Sequence, residues 1–600
     1  MPDGGVLPPV LNVECSLAGR RWQPRVGNSV SVDERLGLAM SQRFDLPEII
    51  GRLLALRGIG LDDAESFLQP SLKSALPDPS HLKDMDAAVA RIVDALENCE
   101  PLAVFGDYDV DGATSAAILH RYFASIGADL RIYVPDRIKE GYGPNAEALL
   151  KLHRDGMRVV FTVDCGITAH DSLTAAQKAG LDVIVLDHHV AESALPPAAA
   201  VVNPNRLDDN SPHKTLAAVG VAFLFLVALN RALRARGKFS PGAEPDLIAL
   251  LDLVALGTVC DVVPLIGLNR VLVAQGLRIM ARRQNTGLKV LADVASITSP
   301  PGTYHAGFLL GPRINAGGRV GQADLGARLL ATDDPIVALS LAEKLDHYNT
   351  ERKAIEQAVL NEAMALAEQQ VADGVSFILV ADRGWHPGVI GIVASRIVDR
   401  FNRPACVAGI DGSIAKASCR SVTGIDLGAA IVAARQAGLL MSGGGHKMAG
   451  GFTAAADGID AVHAFLRERL DWASVVVGAV RALTIDATLT PAAATRSLQQ
   501  EIEKVGPVGA GNAEPRFALA GVRIAKADIV GDAHVRCQLA DSQGCRLKAI
   551  AFGCAAEPLG QALLQSRGGG LHLAGKLRAD DWQGREDVQF LIDDGALLAR

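Results

Sequence analysis

At 600 residues the chain is too long for one hydrophobic core and is expected to divide into three or four domains of about 150 residues each. An apolar fraction of 49% with 21% charged residues is that of a globular protein and excludes the disordered class. The formal net charge of −8 excludes nucleic-acid binding by bulk composition, so any such binding must work through local basic patches and bound cations.

The N-terminal stretch MPDGGVLPPVLNVECSLAGRRWQP has no basic segment followed by an apolar one, so no secretory signal is expected. Its first ~20 residues are expected to be mobile, as chain ends commonly are. From about Ala103 to Val263, β-rich runs (LAVFGDYD, LRIYVPDR, RVVFTVDC, DVIVLDHH) alternate with amphipathic ones. That alternation predicts an α/β fold with a parallel sheet and crossover helices, whose ligands sit beyond the carboxyl ends of the strands. The apolar helix around Val219–Leu229 is expected to be too short to cross a bilayer.

Between Pro335 and Gln370 there is no further Pro or Gly, and Leu341, Leu345, Tyr348, Ile355, Val359 and Leu366 recur at helical spacing. They predict one long connecting helix with a single buried stripe. A second α/β segment follows from about Val375 to Leu470, with FILVADRGW as a strand entering a loop and VIGIVASRIV as a helix. After about Ala473, VRCQLAD, LKAIAFG, LHLAGKL and VQFLIDD alternate apolar and polar positions, which predicts a small β-barrel of the oligonucleotide-binding (OB) type. The nine cysteines, Cys15, Cys99, Cys165, Cys260, Cys406, Cys419, Cys537, Cys545 and Cys554, form no Cys-x-x-Cys pair. They read as reduced thiols in a cytoplasmic protein.

Chemistry concentrates in four clusters, each following an apolar run: Asp107, Asp109 and Asp111 in GDYDVDG, Asp164 in TVDCG, Asp187, His188 and His189 in VLDHHV, and Asp261 in TVCDVVPL. Any one Asp alone reads equally well as a helix cap or turn residue. Together, carboxylates with imidazoles suit Mn²⁺ or Mg²⁺, and a pair of such ions would relieve the repulsion among the aspartates.

The ordered set DYDxDG, VDCG, DHH and CDVVPL resembles the DHH phosphoesterase superfamily, and the chain from about Arg20 onward is similar to its RecJ family of single-strand-specific nucleases. GPRINAGGRVG (Gly311–Gly321), SGGGHKMAGGF (Ser442–Phe452) and GPVGAGNAEPRF (Gly506–Phe517) extend the resemblance. It implies an N-terminal extension (1–40), a DHH catalytic domain (41–300), a linker with the long helix (301–370), a DHH-associated strand-binding domain (371–472) and an OB-fold domain (473–600).

The implied activity is a 5′→3′ exonuclease that releases mononucleotides from single-stranded DNA by two-metal hydrolysis, in recombination and repair. Asp109, Asp111, Asp164, His188 and Asp261 would be metal ligands, and Asp107, Asp187 and His189 ligands or their supports. His189 could serve as a general acid, or orient His188 or contact phosphate. Many relatives have a histidine where this chain has Phe105, which leaves one coordination shell open.

By the same resemblance Arg137, Arg313 and Arg319 would grip a 5′ phosphate or the scissile backbone, for which the guanidinium fork is suited. A salt bridge is the competing role for each. Gly443, Gly444, Gly445 and His446, with His386, Arg396, Lys416, Arg420 and Lys447, resemble the family's strand-binding face. Of the barrel aromatics Phe517, Phe552, Trp582 and Phe590, Trp582 is the candidate for base stacking, against an equal expectation of core or turn packing. The implied partners are single-stranded DNA, a single-strand-binding protein and a RecQ-type helicase, with no membrane and no second subunit. The competing functions are a catalytically dead single-strand-binding scaffold and a DHH phosphoesterase acting on short oligonucleotides or small phosphorylated compounds.

Overall fold

A computed structural model describes the chain apart from residues 1–6, 28–29, 137–139, 142, 241, 471–480, 567–569, 581–586 and 599–600. Two candidates, Arg137 and Trp582, thus lie outside the described residues. The first strand, β1 (Arg20–Pro24), belongs to the far end of the chain and is taken up with it below.

The catalytic sheet has five strands: β2 (Leu102–Gly106), β3 (Leu130–Tyr133), β4 (Val159–Val163), β5 (Asp182–Leu186) and β6 (Ala200–Val202). All are parallel, in the order β3-β2-β4-β5-β6. Every residue of β2 and β4 is buried because crossover helices cover both faces, which is why these strands read as unbroken apolar runs. The chain leaves β2 toward one edge and β4 toward the other, so a crevice opens between their carboxyl ends.

Helix Val110–Ser125 starts at that crevice. Gly112 in its first turn lies so close to the strand end that a Cβ would fall 2.4 Å from the Asp107 carbonyl oxygen, so any side chain would push the helix off the sheet. Helix Ala218–Ala235 is longer than the sequence suggested. Its 18 residues are long and apolar enough for a membrane span by length and composition, yet 72% of them are buried inside the protein. Val219, Phe223 and Phe225 pack in the catalytic core, so its apolarity is that of a core helix.

Helix Pro335–Ala372 has 38 residues, about 57 Å at 1.5 Å per residue. Asp334 caps it by accepting from the N–H groups of Ile336 and Val337. Ala306, Leu310, Ile314, Leu325, Leu329 and Leu330 before it already lie in the catalytic core, as do Ala338, Leu341, Ala342 and Leu345. Its far end packs through Val359, Ala363 and Ala367 against the second domain. The stripe therefore changes at that end: Leu366 is exposed and the smaller Ala363 and Ala367 are buried, since an alanine surface lets the helix approach the sheet closely.

The second sheet comprises β7 (Ile378–Arg383), β8 (Ala405–Asp411), β9 (Ile414–Arg420), β10 (Ser442–Gly445) and β11 (Ala449–Ala455) in the order β10-β11-β9-β8-β7. Cys406 and Cys419 face one another across β8 and β9 and are joined as a disulfide. This corrects the expectation of nine reduced thiols. The hairpin register brings the pair together, and no Cys-x-x-Cys spacing announces it.

The last part contains β12 (Arg481–Ile485), β13 (Ala487–Leu489), β14 (Phe517–Val530), β15 (His534–Ala540), β16 (Arg546–Ala551), β17 (Gly570–Asp580) and β18 (Asp587–Leu597). Strands β14-β15-β16-β18-β17 close on themselves through β14–β17 pairing, the five-stranded closed barrel expected of an OB fold.

Residues 7–24 correct the expectation of a mobile N-terminus. β1 pairs in parallel with β12. Trp22 is fully buried with Leu483, Ile485 and Ala596, and its Nε1–H donates to Asp594 Oδ2 at 3.1 Å. The N-terminal segment thus completes the C-terminal unit.

Replacing Trp22 with Ala removes a large buried ring and leaves Asp594 without this donor. We expect a loss of about 3–5 kcal/mol, read as a lowered thermal unfolding transition, with β1 released to proteolysis.

Candidate metal centre

Three neighbouring catalytic strands each end in an aspartate whose backbone N–H extends the ladder. Asp107 donates to Val163 O at 3.3 Å, Asp164 to Leu186 O at 3.1 Å and Asp187 to Val202 O at 3.2 Å. All three side chains are buried. Asp164 has φ +61°, a left-handed conformation that costs a residue with a Cβ about 1–2 kcal/mol.

The ligand atoms of Asp107, Asp109 and Asp164 lie within 4.8 Å of one another, as do those of Asp164, His188 and His189, and those of Asp111, His188 and Asp261. Asp164 and His188 each belong to two of these groups, which merges all three into one centre able to hold more than one divalent ion. Capping and ligation turn out to be compatible roles. Asp109 caps helix Val110–Ser125 by accepting from the N–H groups of Asp111 and Gly112. Asp111 accepts from Ala218 and Val219 N–H at 2.7 and 2.9 Å, at the start of helix Ala218–Ala235, where the helix dipole favours an anion.

His188 Nε2 lies 3.2 Å from Asp164 Oδ1 and 3.6 Å from Asp261 Oδ2. Both His188 Nε2 and Asp261 Oδ2 are buried without a hydrogen-bond partner among the described residues. Burial, then the neighbouring His189, lowers His188 to about 4, so it is the neutral imidazole that metals bind. Burial, then Asp109, pushes Asp261 up to about 7. Asp111 and Asp164 are raised well above the usual carboxylate range, by burial first and by the other aspartates second. This carboxylate–imidazole set fits hard divalent cations such as Mn²⁺ or Mg²⁺, which would let all the aspartates ionise together.

Asp187, a candidate ligand or support by sequence, is engaged by four donors. It accepts from the backbone N–H groups of Ile167, His188 and His189 at 3.1, 2.7 and 3.2 Å, and from His189 Nδ1 at 2.8 Å. Full burial alone would raise its pKa, but these bonds, led by that of His189, lower it. His189 is raised in turn: burial lowers it, but the Asp187 hydrogen bond and the charges of Asp187, Asp261 and Asp107 together raise it further.

Phe105 supplies no ligand. It is buried on the opposite face of β2 from Val104, stacked on Tyr133 at 5.4 Å. Sequence reasoning missed Asn203 and Asn205, whose side-chain amides hold the carbonyls of His189 and His188. Their signal was the Asn-Pro-Asn that directly follows β6.

The basic candidates divide. Arg313 is tied to Asp346 at 2.8 Å and to the Leu309 carbonyl at 2.7 Å, the salt bridge to the long helix that was its competing role. Arg319 donates to the Gly388 carbonyl at 2.9 Å, joining the catalytic part to the WHPG loop that carries His386. Gly318, next to it, abuts Tyr108 of the DYD loop. Arg420 is half-buried and bonded to Ser418 Oγ and the Cys419 carbonyl, with no carboxylate partner among the described residues. Burial lowers its pKa.

Arg396, Lys416 and Lys447 are exposed, as are Gly445 and His446. Gly443, Gly444 and Gly445 lie in the edge strand β10, and a Cβ at Gly444 would meet nothing within 4 Å. In the barrel, Phe517 and Phe590 are core, whereas Phe552 is exposed beside His534.

Comparison with known proteins agrees with this geometry. The family description "DHH family, N-terminal domain" matches residues 101–258, "DHHA1 domain" residues 374–471 and "RecJ OB domain" residues 485–594. The chain is 36% identical over 567 residues to the single-stranded-DNA-specific exonuclease RecJ of Escherichia coli (strain K12), covering 92% of this chain and 96% of that one. It is 32% identical over 564 residues to RecJ of Bacillus subtilis (strain 168), covering 93% and 69%. The crystal structure of RecJ in complex with Mn²⁺ from Thermus thermophilus superposes with a TM-score of 0.78 at 30% identity, covering 94% of this chain and 78% of that one. The Mg²⁺ complex gives 0.73 at 28% identity, covering 94% and 77%.

The proton balance of the centre makes a prediction. Asp261 has a folded-state pKa of about 7 against an unfolded value of roughly 3.9, so the folded, ion-free protein holds an extra proton between the two and loses stability as pH rises through that window. Added Mn²⁺ should therefore raise the unfolding temperature more near pH ~8 than near pH ~6, where it must first displace protons. Thermal scans with metal or chelator check this, and equal shifts at both values count against the assignment of Asp261.

Proposed function

Because the chain belongs to the RecJ family of single-stranded-DNA-specific exonucleases, we propose that it degrades single-stranded DNA from the 5′ end, releasing mononucleotides, in recombination and repair. One observation carries this reading: Asp107, Asp109, Asp111, Asp164, His188 and Asp261 meet in one centre at the carboxyl edge of the sheet. The dead-scaffold reading would require lost ligands, and none of these is missing. A small-substrate phosphoesterase would leave the second domain and the barrel without a task.

Asp109, Asp111, Asp164, His188 and Asp261 hold the ions, with Asp107 completing the set around Asp164. Two Mn²⁺ or Mg²⁺ ions bound there supply Lewis acidity toward the phosphodiester and make a water acidic enough to attack near neutral pH. No protein nucleophile is needed. His189 is turned by the Asp187 bond to Nδ1, so its Nε2 is the nitrogen that meets the substrate. Its raised pKa suits it to contact a phosphate oxygen or to protonate the departing oxygen.

Arg319 and His386 face the strand where the two domains touch. Arg420, a half-buried cation with no carboxylate partner among the described residues, is completed by a backbone phosphate, and Arg396, Lys416, His446 and the open edge strand β10 extend the same face. Arg137 is the candidate for the 5′ phosphate. Such contacts read phosphates and stacked bases and carry no sequence preference. We place the protein in the cytoplasm as a monomer, with its substrate presented by a single-strand-binding protein and a RecQ-type helicase.

The deciding experiment is a time course on single-stranded DNA labelled at either end, with Mn²⁺, Mg²⁺ or chelator, comparing the intact protein with Asp164→Ala. Metal-dependent mononucleotide release from the 5′ end, absent in the variant, is expected. Binding without cleavage by either protein would overturn the reading. In the same assay Asp187→Ala should lose roughly 10–100-fold in activity, as removal of a group that orients a ligand commonly does. Arg420→Ala should weaken binding and reduce its salt slope by about 1.

A further inference from the structure

Beside the metal centre lies an aromatic surface that the proposed chemistry leaves unused. Tyr304 and Phe308 are 56% and 71% exposed, yet their rings stack on each other with centroids 5.4 Å apart and planes 23° from parallel. Tyr304 precedes and Phe308 lies within the π-helical turn His305–Leu310, whose inward residues Ala306 and Leu310 are buried. That turn is locked to the helix end bearing Asp261. Cys260 Sγ–H donates to the Ala306 carbonyl at 3.4 Å, and Cβ atoms at Gly307 and Gly311 would lie 3.6 Å from Val259 and 2.6 Å from Cys260.

Beyond the turn, helix Gly311–Val320 carries Gly318 onto Tyr108 of the aspartate loop. The turn that carries the paired rings thus packs against the helix end bearing Asp261 and continues into the helix that meets the aspartate loop. Val262, one residue past Asp261, is also exposed. Leaving two large rings in water forfeits the burial that usually justifies them, and a stacked pair presents flat faces that match a nucleobase.

We propose that Tyr304 and Phe308 form a stacking platform for a base of the single strand adjoining the phosphate at the metal centre. The inference rests on the nuclease reading of that centre. Every base has a π-face, so the platform grips without selecting sequence, and it holds the strand while the phosphate contacts set its register.

The test uses the full-length protein, the double variant Tyr304→Ala/Phe308→Ala and the single variant Phe308→Tyr. Substrates are an unmodified oligonucleotide and a series with one abasic residue stepped inward from the 5′ end. We expect KM for the unmodified strand to rise roughly tenfold in the double variant, with kcat little changed and Phe308→Tyr near wild type. At one abasic position the intact protein should suffer the same penalty and the double variant no further one. Unchanged KM, or a penalty independent of every abasic position, overturns the platform, as does a change in sedimenting mass, which would make the rings a contact between two copies. Binding by fluorescence anisotropy with Ca²⁺ in place of Mn²⁺ repeats the comparison without hydrolysis. A failure of the exonuclease reading is therefore distinguishable from a failure of the platform.

Discussion

Carboxylates buried together within a few ångströms cannot all be charged unless cations lie among them. This constraint governs the centre at the carboxyl edge of the catalytic sheet, where Asp111, Asp164 and Asp261 are all pushed upward by burial and by other aspartates. The fold maintains the crowding through backbone geometry. Successive strand ends deliver Asp107, Asp164 and Asp187 at one level, Asp164 is held at positive φ, and two helix starts bind Asp109 and Asp111. The protein carries a strained, mutually repelling site whose repulsion is relieved when metal binds.

The same placement assigns separate tasks to neighbouring residues. In Asp-His-His, Asp187 uses its hydrogen-bonding capacity on three backbone amides and one ring, so His189 is aimed, while burial and the neighbouring His189 keep His188 neutral. Asn203 and Asn205 fix the carbonyls of the two histidines from the next strand end. Arg319 and Gly318 then tie this centre to the WHPG loop on one side and the DYD loop on the other. The long helix carries the catalytic core at one end and the second domain at the other. The second domain is thus held against the metal centre by a rod and by a direct contact.

Much of this was legible in the sequence because it depends on local pattern. The parallel sheet, the long helix, the second α/β unit and the barrel each follow from periodicity and strand runs, and the aspartate and histidine clusters stand at strand ends where α/β folds place their ligands. The motifs also carry the family resemblance, and the clusters of the metal centre converge as they require. Periodicity alone misread the far end of the long helix, where Ala363 and Ala367 are buried in place of Leu366, because close helix–sheet approach favours small residues there.

Tertiary structure decided what depends on distant partners. The sequence leaves Asp187 as ligand or support and Arg313 as phosphate grip or salt bridge, and only the fold shows that the donors of His189 and the carboxylate of Asp346 engage them. The sequence marks Cys406 and Cys419 as ordinary thiols, and only the register of β8 and β9 makes them a pair. Trp22 and β1 belong to the barrel nearly the whole chain away, and Tyr304 and Phe308 draw no notice until they are found exposed and stacked on a turn that packs against Cys260. Residue type and spacing determine which groups are available for chemistry; which of them remain available is set by the long-range bonds that each one makes on folding.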